Sequence, residues 1–144
     1  MIAPTILSQM WSTLTGRSRP LLTLAEIEAA CTVLGYTYVG RQMVQLNQIR
    51  GSASPARCYD FDADFRLLKV HNESRWARIS AARQRGAKLP PVALIRVGDI
   101  YFVEDGHHRI SVAKTQREQE IEAEVTVLQI SGPLPWEDHA PVLA

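Results

Sequence analysis

The stretch from Leu89 to Val127 constrains the fold more than any other part of this chain. Pro90-Pro91 leads into Val92-Ala93-Leu94-Ile95-Arg96-Val97, a run apolar on both faces, as expected of a strand inside a sheet. Gly98-Asp99 is a turn pair, and Ile100-Tyr101-Phe102-Val103-Glu104 reads as the returning strand of a hairpin. Asp105-Gly106 breaks that strand, and His107 to Gln116 opens a helix. A last strand follows, with Ile121, Ala123, Val125 and Val127 turned inward against Glu122, Glu124 and Thr126.

The preceding half is less regular. Thr23 as N-cap with Glu26 three residues on makes a capping box, and Gly35 supplies a stop. The helix between them has Leu24, Ile27, Ala30, Cys31 and Leu34 as its apolar stripe, which makes Cys31 a core residue. From Tyr36 the pattern turns to β, and Met43 to Ile49 alternates Val44 and Leu46 against polar neighbours before Gly51-Ser52. Residues 50–64 read as a long loop in which Asp62 or Asp64 can cap a following helical turn. Arg66 to Lys88 then carries seven basic residues and one acid, Glu73. Asn72 caps a helix from about Glu73 to Arg85, closed by Gly86. On it Arg75, Arg78 and Arg85 share a quadrant, and Trp76 and Ile79 share a neighbouring face. That basic row is either a solvated face or an anion-binding stripe. Near the start, Ile6, Leu7, Met10, Trp11 and Leu14 suggest an amphipathic helix over Pro4 to Thr15, and Gly16 to Pro20 an exposed linker. The tail from Ser131 is Pro-rich, with Trp136 as an anchor.

Composition excludes more than it assigns. The chain has 144 residues, 46% hydrophobic and 22% charged, which fits a single globular domain rather than a disordered or collagen-like chain. Its formal net charge of +1 gives no overall pull toward nucleic acid or anionic lipid. No uncharged apolar run approaches the ~20 residues of a membrane span. Cys31 and Cys58 lack a CxxC spacing, and the first sixteen residues lack a signal-peptide pattern, so a reduced, cytoplasmic protein is expected.

The chemistry concentrates in Glu104-Asp105-Gly106-His107-His108-Arg109, where a strand meets a helix. A helix start exposes unpaired N–H groups and the positive end of the dipole, so it favours phosphate. Gly106 lets backbone approach an anion, Arg109 offers a planar fork, and His107 and His108 can donate or carry protons. The alternative is a structural corner, with Asp105 as a cap, Gly106 as a turn residue and the histidines as filling. Adjacent histidines on a helix point about 100° apart, so no metal site is assigned to them. A P-loop, a Rossmann G-x-G-x-x-G and a G-x-S-x-G elbow are all absent.

The order of these elements resembles the ParB/sulfiredoxin fold, also called the ParB-like nuclease domain. The resemblance spans roughly Met43 to Gln129 and is most specific from Leu89 through Val127. It implies an α+β fold: a small mixed sheet packed with helices, with a G-x-x-R phosphate-binding turn at a helix N-terminus. In that superfamily the turn binds nucleotide phosphates, CTP in ParB clamps and ATP in sulfiredoxin and the related free-serine kinases. Gly106 and Arg109 match the ends of the motif, and His107 and His108 fill its middle. Sulfiredoxin has its nucleophilic cysteine where this chain has His107, so sulfinate reduction is disfavoured. The serine kinases use a glutamate near the end of the first strand. Here that region is Gln48-Ile49-Arg50-Gly51-Ser52, with no carboxylate until Asp60. With so few residues after Gln129, the DNA-binding and dimerisation domains of a full ParB are not expected here.

The expectation is therefore a helical extension over residues 1–42 packed on the body, a ParB/sulfiredoxin-like domain over 43–130, and a tail over 131–144. Its function would be to bind CTP or ATP, with Mg²⁺ held by the phosphates, in a regulatory or partition-related role. Gly106, His107, His108, Arg109, Arg57 and Arg78 would grip the phosphates. Glu104, Asp105, His107 and His108 would carry any catalysis. A DNA or protein partner, or a second copy, would read the bound state. The alternatives are a phosphoryl-transfer enzyme or nuclease using the same site, and a non-catalytic interaction module that docks through the helix bearing Trp11.

Overall fold

In a computed structural model, which describes residues 20–68 and 73–137, the apolar run Val92–Val97 (β4) lies inside a six-stranded mixed sheet. The hairpin partner Ile100–Asp105 (β5) pairs antiparallel to it, and Glu120–Ser131 (β6) pairs parallel on its other side. Ile49–Ser52 (β3) adds parallel to β5, and the two-residue Leu22–Thr23 (β1) adds parallel to β3. Thr32–Gln45 (β2) pairs antiparallel with β6, so the order is β1-β3-β5-β4-β6-β2. Among the described residues three helices complete an α+β arrangement: Leu24–Ala30 (α1), Glu73–Gln84 (α2) and His107–Thr115 (α3).

Alternation along the inner strands explains why they are apolar on both faces. Val92 and Leu94 of β4 and Tyr101 and Val103 of β5 pack with Ile110 and Ala113 of α3. Their neighbours Ile95, Val97 and Phe102 pack on the opposite face with Leu24 and Ile27 of α1 and with Leu134. Inward positions Ile121, Ala123 and Val125 of β6 join the first core, while Leu128, out of phase with them, joins the second. Trp136, in a short 3-10 turn over Pro135–Glu137, packs on the second core with its ring 6.4 Å from that of Phe102, as expected of an anchor.

Three local expectations are corrected. The first helix stops at Ala30, not at Gly35, and Leu34 is 66% exposed in β2 rather than on an apolar helix stripe. Thr32, Val33, Tyr36, Thr37 and Val39 are β-branched or aromatic, and a long ladder with β6 outweighs one more turn of helix. Thr23 does occupy the N-cap position, without a side-chain cap bond. Second, the strand expected over Met43 to Ile49 is interrupted: β2 ends at Gln45, a 3-10 turn takes Leu46–Gln48, and β3 starts at Ile49. Val44 and Leu46 are nevertheless both buried. Third, the boundary expected after residue 42 falls inside β2, and residues 20–42 contain two strands of the common sheet beside α1. The helix expected over Pro4 to Thr15 and the Asn72 cap lie outside the described residues.

Helix α2 has no buried residue of its own and is held by its contacts. Trp76 donates its indole N–H to Ser111 Oγ of α3 at 2.9 Å, and Gln116 donates to Ser80. Arg83 pairs with Glu118 through two nitrogens. Gly86 closes α2 with φ 79°. Among the described residues no helix is long and apolar enough to cross a membrane.

Candidate functional site

The site is built where β5 hands over to α3. Gly106 takes the N-cap position at φ 111°, ψ 23°, a left-handed conformation that L side chains rarely adopt. A Cβ there would come within 2.4 Å of Val92 Cγ1, so glycine is required by the packing as well as by the dihedral. With no side chain at the cap position, the first N–H groups of α3 receive no side-chain cap from it.

Arg109 fastens this corner. Its Nη1 donates to the carbonyls of Pro90 at 2.7 Å and Pro91 at 3.1 Å, and its Nη2 to Asp105 Oδ2 at 3.1 Å. The Pro-Pro step thus presents two carbonyls to one guanidinium. Arg109 is expected from sequence to grip phosphate. Here it is first a staple between α3 and the entry to β4, and its charge lines the adjoining cleft.

That cleft has a volume of about 420 Å³ and lies over the start of α3. Arg57 and Ser54 of the loop after β3, Arg75 and Ile79 of α2, Leu89-Pro90, and the segment from Glu104 to Arg109 line it. Of the expected phosphate ligands, Gly106, His107, His108, Arg109 and Arg57 come together. Arg78 does not line the cleft; Arg75 does, one turn before Ile79 in the same helical row. Arg57 is anchored from below by Asp60, 3.6 Å away and buried.

The two histidines differ sharply although both are buried. His107 Nε2 lies 2.7 Å from Ser52 Oγ, and its ring stacks on Phe61 at 6.0 Å. Burial, aided by His108 and Arg57 and opposed by Asp105 and Asp60, pushes its pKa down to about 4, so it is neutral at pH 7. His108 meets Phe61 edge-on at 5.1 Å. Its Nε2 is buried and has no hydrogen-bond partner among the described residues. Burial and then the Arg57 and Arg75 guanidiniums lower its pKa, against the pull of Asp60. A buried ring nitrogen without a partner costs free energy unless something else satisfies it.

The carboxylates also part company. Asp105 is 79% exposed and engaged only with Arg109 among its described partners. Glu104, one position away, falls with Phe102 on the other face of the sheet. It lines a second hollow there with Glu28 and Tyr36. The hydrogen bond from Tyr36 to Glu28, then burial and the charges of Glu28 and Glu104, raise the Tyr36 pKa to about 12. Glu104 thus borders both hollows, the His107–His108 cleft and this second one.

Four contributors escaped the sequence reading of the site: Arg75, Ser52, Asp60 and Phe61. The signal for Arg75 was its i, i+4 relation to Ile79. Asp60-Phe61-Asp62 in the long loop had no periodicity to place it. Asp62 acts as expected, accepting from the Asp64 and Arg66 N–H groups at 2.9 Å each, but the structure it caps is a turn rather than a helix. Among the described residues no group of three or more His, Cys, Asp or Glu side chains is placed to hold a metal ion.

No family model matches the chain, and no curated protein matches it in sequence. Among solved structures it is similar to sulfiredoxin from Arabidopsis thaliana, with a TM-score of 0.44 and 14% identity. The match covers 59% of this chain and 82% of that one.

Proposed function

We propose that this chain carries a ParB/sulfiredoxin-like domain that binds a nucleoside triphosphate, CTP or ATP, by its phosphates over the start of α3. The observation that carries the reading is the unsatisfied Nε2 of buried His108 beside a cleft lined by Arg57, Arg75 and the uncapped helix start. An anionic oxygen there would meet backbone N–H groups, two guanidiniums and a ring nitrogen able to donate. The element order supports the same reading, since Pro90-Pro91, the hairpin and Gly106-x-x-Arg109 stand in the family's sequence. Mg²⁺ would be held by the phosphates, with Asp105 as the carboxylate at the rim. The output would be nucleotide-dependent association with a protein or DNA partner.

Calorimetric titration of CTP and ATP with Mg²⁺ tests this. Saturable binding that Arg57→Ala and Arg75→Ala each weaken at least tenfold is the expected result; no heat from either nucleotide overturns it. Arg109→Ala is a poorer probe, because it also removes the staple to Pro90 and Pro91. The phosphoryl-transfer alternative would need a proton carrier facing the ligand. His108 is the group whose buried ring nitrogen lacks a partner among the described residues, whereas His107 is held by Ser52. Release of inorganic phosphate or transfer to a hydroxyl acceptor, lost in His108→Ala, would favour it.

A further inference from the structure

The two edges of the sheet are built in opposite ways. At one end β1 is two residues long and offers almost no edge. At the other, β2 runs for fourteen residues and, among the described strands, pairs only with β6. Its outer row of backbone N–H and C=O groups is a template for another strand. Edge strands are usually guarded by lysine, proline or inward charges, but β2 has one charged residue, Arg41, and no lysine or proline. Instead it exposes Val33, Leu34, Tyr36, Tyr38, Val39 and Met43, most of the large exposed apolar side chains among the described residues.

We propose that β2 pairs antiparallel with β2 of a second copy, joining two six-stranded sheets into one continuous sheet about a two-fold axis. Antiparallel pairing about a two-fold is self-complementary: residue i faces j while j faces i, and both rows of backbone groups are satisfied together. The charge pattern permits it. The register sets Arg41 beside Glu124 of its own β6, and any two-fold not centred on Arg41 places that guanidinium opposite an uncharged residue. Register shifts at Gly35 and Gly40 curve the strand, yet Gly40 to Gln45 runs in unbroken register with β6 and gives a regular segment to extend. The exposed side chains supply part of the area. Tyr36 and Tyr38 are 47% and 60% exposed, so about half of the roughly 150–250 Å² of each remains to be covered. Four across the pair supply about a quarter of the roughly 1,200–2,000 Å² that a specific interface needs, and Val33, Leu34, Val39 and Met43 add to it.

Light scattering coupled to size exclusion on the full chain reads the result. The wild type is expected at twice the 16.1 kDa chain mass. Leu34→Lys combined with Val39→Lys is expected at the single-chain mass, with an unchanged circular-dichroism spectrum. Leu68→Lys, at an exposed apolar residue away from β2, is expected to leave the doubled mass intact. Should the double variant unfold, Val39→Lys alone gives the same reading. A wild type at 16.1 kDa across micromolar concentrations overturns the proposal. So does a doubled mass that survives the lysines, or one lost only on deleting residues 1–19.

Discussion

The inner strands β3, β5 and β4 and the outer ribbon of β6 with β2 belong to one sheet but are held by different forces. Ile49, Val92, Val97, Phe102 and Val103 are essentially inaccessible, with cores on both faces. In β2 only Val44 is fully buried, and the strand is held chiefly by its ladder to β6. The charged cleft opens at the end of the rigid half. This is where preorganisation is available, because the backbone that points N–H groups at a ligand is fixed by packing on both sides. The ribbon has little packing to lose and an edge to offer. The proposed binding cleft and the proposed association edge therefore have separate places in the sheet.

The largest expected effect contrasts core with ribbon directly. Phe102→Ala should cost about 3–5 kcal/mol in chemical denaturation, as for other large-to-small core changes. Leu34→Ala should stay within about 0.5 kcal/mol. Equal losses would show that the ribbon is packed as tightly as the centre. Glycines sharpen the same contrast, since Gly106 and Gly40 both have positive φ, 111° and 100°. A Cβ at Gly106 strikes Val92, whereas one at Gly40 meets nothing within 4 Å. Gly106→Ala should therefore cost about 3 kcal/mol and Gly40→Ala about 1, the strain of the dihedral alone.

Acid should act on the rigid half through His107. Its folded pKa of about 4 lies below the ordinary imidazole value of 6.5, so between those values the unfolded chain binds the proton and the folded one does not. Stability should fall by about 3 kcal/mol as pH drops through that window and lose nothing more from this group below it. A His107→Gln variant should show a flatter profile over the same range. The smallest effect is expected from Ser52→Ala, about 1 kcal/mol for the hydrogen bond to His107. A neutral result would mean that packing on Phe61 alone holds the ring.

Legibility from sequence follows the same division. Both strands of the hairpin were readable as apolar runs bounded by Pro90-Pro91, Gly98-Asp99 and Asp105-Gly106, and α3 by the break before it. Ile121, Ala123 and Val125 of β6 were readable by their alternation; Val127, expected inward with them, gives way to Leu128. The Gly106-to-Arg109 corner was readable because a left-handed N-cap admits few residue types. What failed was exposed or irregular. The end of α1 was misplaced because Cys31 and Leu34 fit a helical stripe, while the competing ladder to β6 lies about ninety residues away along the chain. Arg75 was passed over for Arg78 because a quadrant of arginines does not say which one α2 turns toward α3. Glu104 borders the cleft as its adjacency suggests, but its share in a second hollow with Glu28 and Tyr36 left no mark in the sequence.

The central claim is that ligand phosphate meets His108 while His107 remains with Ser52. Long-range nitrogen–proton NMR of the two imidazole rings, followed as Mg²⁺-CTP or Mg²⁺-ATP is added, tests it directly. The account predicts a saturable shift of the His108 Nε2 resonance with His107 Nε2 almost unmoved. A titration that leaves His108 in place, or that shifts His107 instead, contradicts it.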